Sequence, residues 1–223
     1  MSVTYIDAIR EAQETLLRED PRVFLYGQDI ATFGGAFKAT KGLAEAFPNR
    51  VFDCPISEDA MIGLAVGAAI EGMRPIVEMQ FADFSSIAFN QIVNQAATHF
   101  YRTGVPIPIT VRLPSGGTPG SGPFHSQSME GIYAQYPGLV VLTPASVSDA
   151  YHMLIDAVAL DARVGDRFGE RLDHEIVGAC VPALAEFAAA HPEDGDLVLD
   201  ACGHSGSFQV LVEAARTGVA FQK

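Results

Sequence analysis

Short apolar strands alternate with helical segments across residues 20–160, and this alternation most constrains the fold of the chain. Segments such as Arg22–Gly27 (RVFLYG) and Leu139–Thr143 (LVVLT) are continuous apolar runs, without the regular polar positions of a half-exposed strand. Such runs are typical of a parallel sheet that is buried on both faces and covered by the intervening helices. The pattern therefore predicts an α/β fold with a parallel sheet flanked by helices.

Capping residues indicate where the helices begin. Ser57 predicts the start of a helix over Glu58–Met73, whose Gly and Ala residues indicate that another backbone lies close to it. Asp83 predicts the start of one long helix that runs to about Tyr101. Each of these helices follows a predicted strand, as the α/β pattern requires.

The pattern changes after residue 160, so we predict one domain over 1–160 and a divergent tail over 161–223. The tail either completes the sheet or is a truncated fragment. Within it, Leu197–Ala201 (LVLDA) predicts a strand and Gln209–Arg216 a helix. The surrounding GDLVLDACGHSGSFQVLVEAARTG resembles the glycine loop of S-adenosylmethionine methyltransferases, but it lacks their usual G-x-G and leaves too little chain for that fold.

Composition excludes several classes of function. The net charge of −13 argues against binding a phosphate backbone, which needs basic clusters. No apolar stretch is long enough to span a bilayer, and the first residues lack the basic and apolar regions of a signal peptide. The three cysteines are too few and too scattered for a disulfide framework or a metal site. We therefore expect a cytoplasmic protein that binds neither nucleic acid nor membrane.

Chemically rich segments follow three of the predicted strands, where ligands bind in parallel sheets. They are CPISED, QFADF and the Gly- and Pro-rich loop PSGGTPGSGPFHSQS. Glu58 is either a helix-stabilising residue in a first turn or part of a site, and His125 is either a solvated loop residue or a ligand contact. The chain carries no GxSxG, HExxH, P-loop or dinucleotide fingerprint. From the residues alone, the prediction is an α/β domain with a polar pocket.

Several longer segments together resemble the β subunit of thiamine-diphosphate-dependent 2-oxo acid dehydrogenases, the decarboxylating component of the pyruvate and branched-chain complexes. They are GQDIATFGGAFKATKGL, FDCPISEDAMIGLAVGAAIEGMRPIVEMQFADF, FNQIVNQAAT and GPFHSQSMEGIYAQYPGLVVLTPAS. The resemblance covers residues 3–160 in order along the chain. It implies a transketolase-like pyrimidine-binding domain over 1–160, which agrees with the pattern of strands and helices.

The resemblance also implies roles for individual residues. Glu58, in the P-I-x-E motif, would hydrogen-bond N1′ of the cofactor's aminopyrimidine and promote its imino tautomer. His125, in HSQS, would handle protons or orient the substrate during decarboxylation and acyl transfer. The implied cofactor-binding residues are Glu58, Ile56, Gln80 and Phe84. Gln28 stands where the family often has an acidic residue, so a proton relay that uses that acid is in question here.

The same resemblance implies partner proteins. The GDG motif that binds the diphosphate and Mg²⁺ in this family belongs to the α subunit, and it is absent from this sequence. We therefore expect a heterotetramer with an α subunit that holds Mg²⁺, acyl transfer to a lipoyl-bearing acyltransferase component, and no metal ligands on this chain. Two alternatives stay open: an acetoin dehydrogenase β subunit, which shares these motifs, and a non-catalytic pseudo-subunit, which the unmatched tail would favour.

Overall fold

A computed structural model describes residues 4–116, 120–136 and 138–160, together with the backbone of 207–212. In chain order its strands are β1 (Val23–Gly27), β2 (Val51–Asp53), β3 (Arg74–Glu78), β4 (Ile109–Pro114), β5 (Val140–Leu142) and β6 (Ser207–Val212). Its α-helices are α1 (Tyr5–Glu19), α2 (Leu43–Ala46), α3 (Glu58–Ile70), α4 (Ala97–Thr103), α5 (Glu130–Tyr133) and α6 (Val147–Ala159).

These strands form one sheet in the order β2-β1-β3-β4-β6-β5. The pairs β1–β2, β1–β3 and β3–β4 are parallel, so these four strands end at the same edge of the sheet. The predicted α/β fold is confirmed, with one difference: β6 runs antiparallel to both β4 and β5. The predicted helix at Gln209–Arg216 is wrong over residues 209–212, which belong to β6. Its remainder and the predicted strand Leu197–Ala201 lie outside the described residues.

Helices cover both faces of the sheet, as its apolar strands require. On one face, α1 and α6 bury side chains such as Ile9, Leu17 and Leu154 in a core with β1 and β3. On the other face, α3 buries Met61 and Ile62 in a second core with β3, β4 and α5. Capping boxes at Thr4 and Ser146 start α1 and α6, since each side chain accepts from the backbone N–H three residues later.

The long helix predicted from Asp83 to Tyr101 is wrong in its continuity. A 3-10 turn over Ala82–Ser86 comes first, and a π-helix over Gln91–Ala96 then leads into α4. The hydroxyls of Ser85 and Ser86 donate to carbonyls three residues earlier, which stabilises the tight turn instead of an α-helix. Phe81 takes the N-cap position of the turn, which leaves the Asp83 carboxylate for another contact.

Candidate functional site

The residues selected from the sequence lie where β1 to β4 end, on one edge of the sheet. Gln28 directly follows β1, Glu58 begins the helix after β2, and Gln80 follows β3 by two residues. Phe84 lies in the turn after β3, and His125 lies in the loop after β4. The carboxyl edge is where parallel sheets bind ligands, so the topology brings these segments to a suitable place.

Glu58 is a buried carboxyl group held by a neutral side chain. It is only 5% exposed, and its Oε1 accepts a hydrogen bond of 3.1 Å from Nε2 of Gln28, which is 4% exposed. The Gln28 amide also lies 3.6 Å from Sδ of Met61. Glu58 is the first residue of α3, where the helix dipole favours negative charge. Ser57, expected to cap this helix, makes no capping bond through its side chain. Glu58 is thus fixed and largely shielded from water, unlike an exposed first-turn glutamate.

Close packing at the ends of β1 and β3 forms the base of the site. A Cβ at Gly27 would lie 2.5 Å from the carbonyl oxygen of Glu78, so glycine alone fits beside β3 at this position. Oε2 of Glu78 accepts a 2.5 Å hydrogen bond from Nη1 of Arg112, which is 1% exposed. A Cβ at Gly35 would lie 2.9 Å from Oε1 of the same Glu78. The buried Glu78–Arg112 ion pair joins two strands and was not among the residues selected from the sequence.

The loop after β1 is fastened to the end of β2 by Asp53. Its carboxylate accepts from the backbone N–H groups of Ala31 and Thr32 at 2.7 and 3.0 Å. Burial by itself raises the pKa of Asp53, but hydrogen bonds from the Thr32 hydroxyl and these N–H groups lower it below its usual value overall. In the same loop, Oδ2 of Asp29 accepts a 3.4 Å bond from Nε2 of Gln80. Gln80 therefore connects the ends of β1 and β3.

An aromatic cluster surrounds His125. The ring centroids of Phe81 and Phe84 lie 4.5 and 5.4 Å from that of His125, both in edge-to-face geometry. Phe81 also contacts Phe84 at 6.0 Å and Phe37 at 5.5 Å. Edge-to-face aromatic pairs add to the stability of apolar burial. His125 is thus a half-buried residue packed against two aromatic rings, and not a fully solvated loop histidine.

Two further residues at this edge differ in accessibility. Ile56, expected to form a wall of the pocket, is 81% exposed among the described residues. Burial raises the pKa of the Cys54 thiol to about 11; a hydrogen bond with Tyr26 opposes this shift, and the nearby carboxylates of Asp53 and Glu58 add to it. Cys54 is therefore a protonated, weakly nucleophilic thiol.

Within the described ranges, no group of three or more His, Cys, Asp or Glu residues could hold a metal ion.

Comparison with known proteins places this fold in a family. Residues 1–164 match the family described as the transketolase pyrimidine-binding domain. The chain is 48% identical to the 2-oxoisovalerate dehydrogenase subunit beta of Bacillus subtilis over 162 residues, which are 71% of this chain and 50% of the relative. It is 40% identical to the pyruvate dehydrogenase E1 component subunit beta of Staphylococcus aureus over 159 residues, 70% of this chain and 49% of the relative.

A solved structure supports the fold independently. The chain titled "Split gene transketolase, inactive beta4 tetramer" superposes with a TM-score of 0.57 at 21% identity, over 72% of this chain and 49% of that one. This chain spans about half the length of the curated relatives it matches. None of the helices in the described part of the chain is long and apolar enough to cross a membrane. The similarity to 2-oxo acid dehydrogenase β subunits confirms the resemblance seen in the motifs, and the chain belongs to the transketolase pyrimidine-binding domain family.

Proposed function

We propose that this chain is a β-type subunit of a 2-oxo acid dehydrogenase and supplies the aminopyrimidine half of a thiamine diphosphate site. The observation that carries the proposal is the buried Glu58 carboxyl, fixed by Gln28 on the same sheet edge as the Phe81–Phe84–His125 cluster. A positioned carboxyl group beside aromatic rings suits a flat heterocycle with ring nitrogens. The 2-oxo acid dehydrogenase β subunits among the relatives support the choice of reaction.

The side chains present fit the aminopyrimidine ring. Glu58 has one oxygen fixed by Gln28, and in the described part of the chain no donor is bonded to its other oxygen. That second oxygen is suited to share a proton with a ring nitrogen, N1′. Phe84 would pack against the ring, and Gln80 and Ile56 would line the pocket. Thiamine diphosphate, when bound, supplies a carbon nucleophile and accepts the electrons released on decarboxylation.

His125 is proposed to act on the substrate side of the site. Its ring packs against Phe81 and Phe84, which limits the positions it can take. An imidazole can both donate and accept a proton, as this role requires. Within the proposed reaction, oxidative decarboxylation of a 2-oxo acid, His125 orients the substrate or handles protons as the acyl group moves to a lipoyl group on the acyltransferase component.

The diphosphate and Mg²⁺ are assigned to an α-type partner. Mg²⁺ needs octahedral oxygen ligands and is commonly held by carboxylates together with phosphate oxygens. The GDG motif for this task is absent from the sequence, and the net charge of −13 opposes binding of an anionic diphosphate. We therefore propose a heterotetramer in which this chain and the α subunit share each cofactor site. The cytoplasmic location expected from the sequence stays a prediction.

Cofactor titration with and without an α subunit tests this proposal. The full chain is titrated with thiamine diphosphate and Mg²⁺, alone and with the α subunit of a 2-oxoisovalerate dehydrogenase, and decarboxylation of a branched 2-oxo acid is measured. We expect neither tight binding nor turnover by the chain alone, and both in the complex. Tight binding by the chain alone would contradict the shared site.

The same titration separates the catalytic proposal from its alternatives. A complex that binds the cofactor but turns over neither a 2-oxo acid nor acetoin would indicate a non-catalytic subunit. Turnover of acetoin in preference to 2-oxo acids would indicate an acetoin dehydrogenase.

A further inference from the structure

Asp83 is a buried acidic residue that neither the resemblance nor the proposed reaction assigns a role. It is 6% exposed and lies in the 3-10 turn Ala82–Ser86, between the two phenylalanines that contact His125. Its Oδ1 accepts a hydrogen bond of 3.2 Å from the backbone N–H of Gln127, two residues beyond His125. The turn after β3 thus contacts the loop after β4 in two ways, through aromatic rings and through a carboxylate.

The turn that carries Asp83 is a firm base for such a contact. Ala82 and Ser85 are fully buried, and the Ser85 hydroxyl donates to the Ala82 carbonyl at 2.6 Å. The buried Tyr133 hydroxyl donates to the Ser85 carbonyl at 3.2 Å, which joins the turn to α5. The turn is therefore fixed both internally and by α5, so a loop that bonds to it is fixed as well.

Two hydrogen bonds of the described residues near the histidine stay within the His125 loop. The His125 N–H donates to the Gly122 carbonyl at 3.4 Å, and the Gln127 side chain donates to the Pro123 carbonyl at 3.3 Å. Neither bond joins the loop to the sheet or to a helix. The bond to Asp83 does, because it connects the loop to the turn at the end of β3.

The two oxygens of the Asp83 carboxylate differ in their hydrogen bonding. Oδ2 is buried and has no hydrogen-bond partner among the described residues. An unsatisfied buried polar atom costs free energy, and in native proteins it calls for an explanation. Oδ1, in contrast, accepts from a backbone N–H, and an acceptor oxygen at this point is what joins the loop to the turn.

We propose that Asp83 is the positioning residue for His125, holding the loop so that the histidine ring stays packed against Phe81 and Phe84. The proposal builds on the proposed function, which gives His125 its role. Asp83 acts through the Gln127 N–H and not on substrate or cofactor.

The test compares three variants of the full chain by NMR, without cofactor or partner. The reporter is the resonance of the His125 ring Cε1–H, which is assigned by its absence in His125→Gln. Its chemical shift depends on the neighbouring aromatic rings and therefore reports the position of the histidine ring. Asp83→Ala removes the acceptor, whereas Asp83→Asn keeps one oxygen acceptor of the same shape. Ser86→Ala is the matched control, because it removes a bond inside the same turn and none to the loop.

We expect the His125 resonance to move toward that of an exposed histidine in Asp83→Ala, and to keep its position in Asp83→Asn and Ser86→Ala. Exchange of the Gln127 amide proton should become about tenfold faster in Asp83→Ala, the effect of losing one hydrogen bond. An unchanged His125 resonance in folded Asp83→Ala would overturn the proposal, and so would an Asn variant that behaves like Ala.

Wild-type protein decides the matter if Asp83→Ala does not fold. In that case the Gln127 amide proton of the wild-type chain should exchange at least about tenfold more slowly than its intrinsic rate, and the amide proton of exposed Phe124 should exchange near its intrinsic rate. Equal protection of the two amides would overturn the proposal. Because no turnover is measured, a failure of the proposed reaction and a failure of this positioning role are distinguishable.

Discussion

Replacing Gln28 with leucine tests whether this residue holds Glu58 in the folded protein. Leucine fills a similar volume, so little cavity is left, but it cannot donate to Oε1 of Glu58. A hydrogen bond to a buried charged group contributes about 1.5–3 kcal/mol. We therefore expect Gln28→Leu to lower the free energy of unfolding by about 1.5–3 kcal/mol and the Tm by roughly 3–12 °C.

A double-mutant cycle in urea isolates this interaction from other effects of the substitution. Unfolding is followed by circular dichroism in wild type, Gln28→Leu, Glu58→Met and the double variant, because methionine has a similar volume but no oxygen to accept from Gln28. We expect a coupling free energy of about 1 kcal/mol or more, because the residues share one bond. Gln91→Leu is the matched control: its bond to Asp59 is exposed, so its loss should cost less than about 0.5 kcal/mol. A coupling within about 0.3 kcal/mol of zero would refute the reasoning.

Two further predictions concern the base of the site and the nearby thiol. Arg112→Met leaves the Glu78 carboxylate buried without its cation, so we expect the free energy of unfolding, measured in urea, to fall by about 3–5 kcal/mol. Adding Glu78→Gln to this variant should restore much of that free energy, and no recovery would contradict the pairing. The Cys54 thiol ionises near pH 9 when unfolded and near pH 11 when folded. The unfolded state therefore loses its proton first, and the free energy of unfolding should fall as pH rises from 9 to 11. Cys54→Ala should show a smaller fall, and an identical pH profile would contradict the shift.

The α/β fold was predictable because its signals are local. Continuous apolar runs give the strands, and the capping boxes that begin α1 and α6 each use a hydroxyl residue with an aspartate three positions later, Thr4 with Asp7 and Ser146 with Asp149. The broken helix after Asp83 was not predictable, because helical periodicity does not reveal that Ser85 and Ser86 bond back into a 3-10 turn. Nor was β6, whose pairing with β4 joins segments far apart in the chain.

The residues proposed for the site were selected from local motifs, whereas the contacts that support them were not predictable. Glu58 and His125 could be selected because short motifs carry them. The contacts that fix them come from other elements: Gln28 from the end of β1, and Asp83 from the turn after β3. The Glu78–Arg112 pair also joins two strands and has no local sequence signal. Such pairs become visible only when the strands are placed side by side.

Exchange of the C2 proton of bound thiamine diphosphate tests the central claim most directly, because it reports the step assigned to Glu58 before any substrate is present. The full chain, assembled with an α subunit and Mg²⁺, is compared with its Glu58→Gln variant by quenched exchange in deuterium oxide. We predict that Glu58→Gln still assembles and binds cofactor but exchanges the proton at least about 100-fold more slowly, within the range that general acid–base groups contribute. Exchange at the wild-type rate in the assembled variant would contradict it.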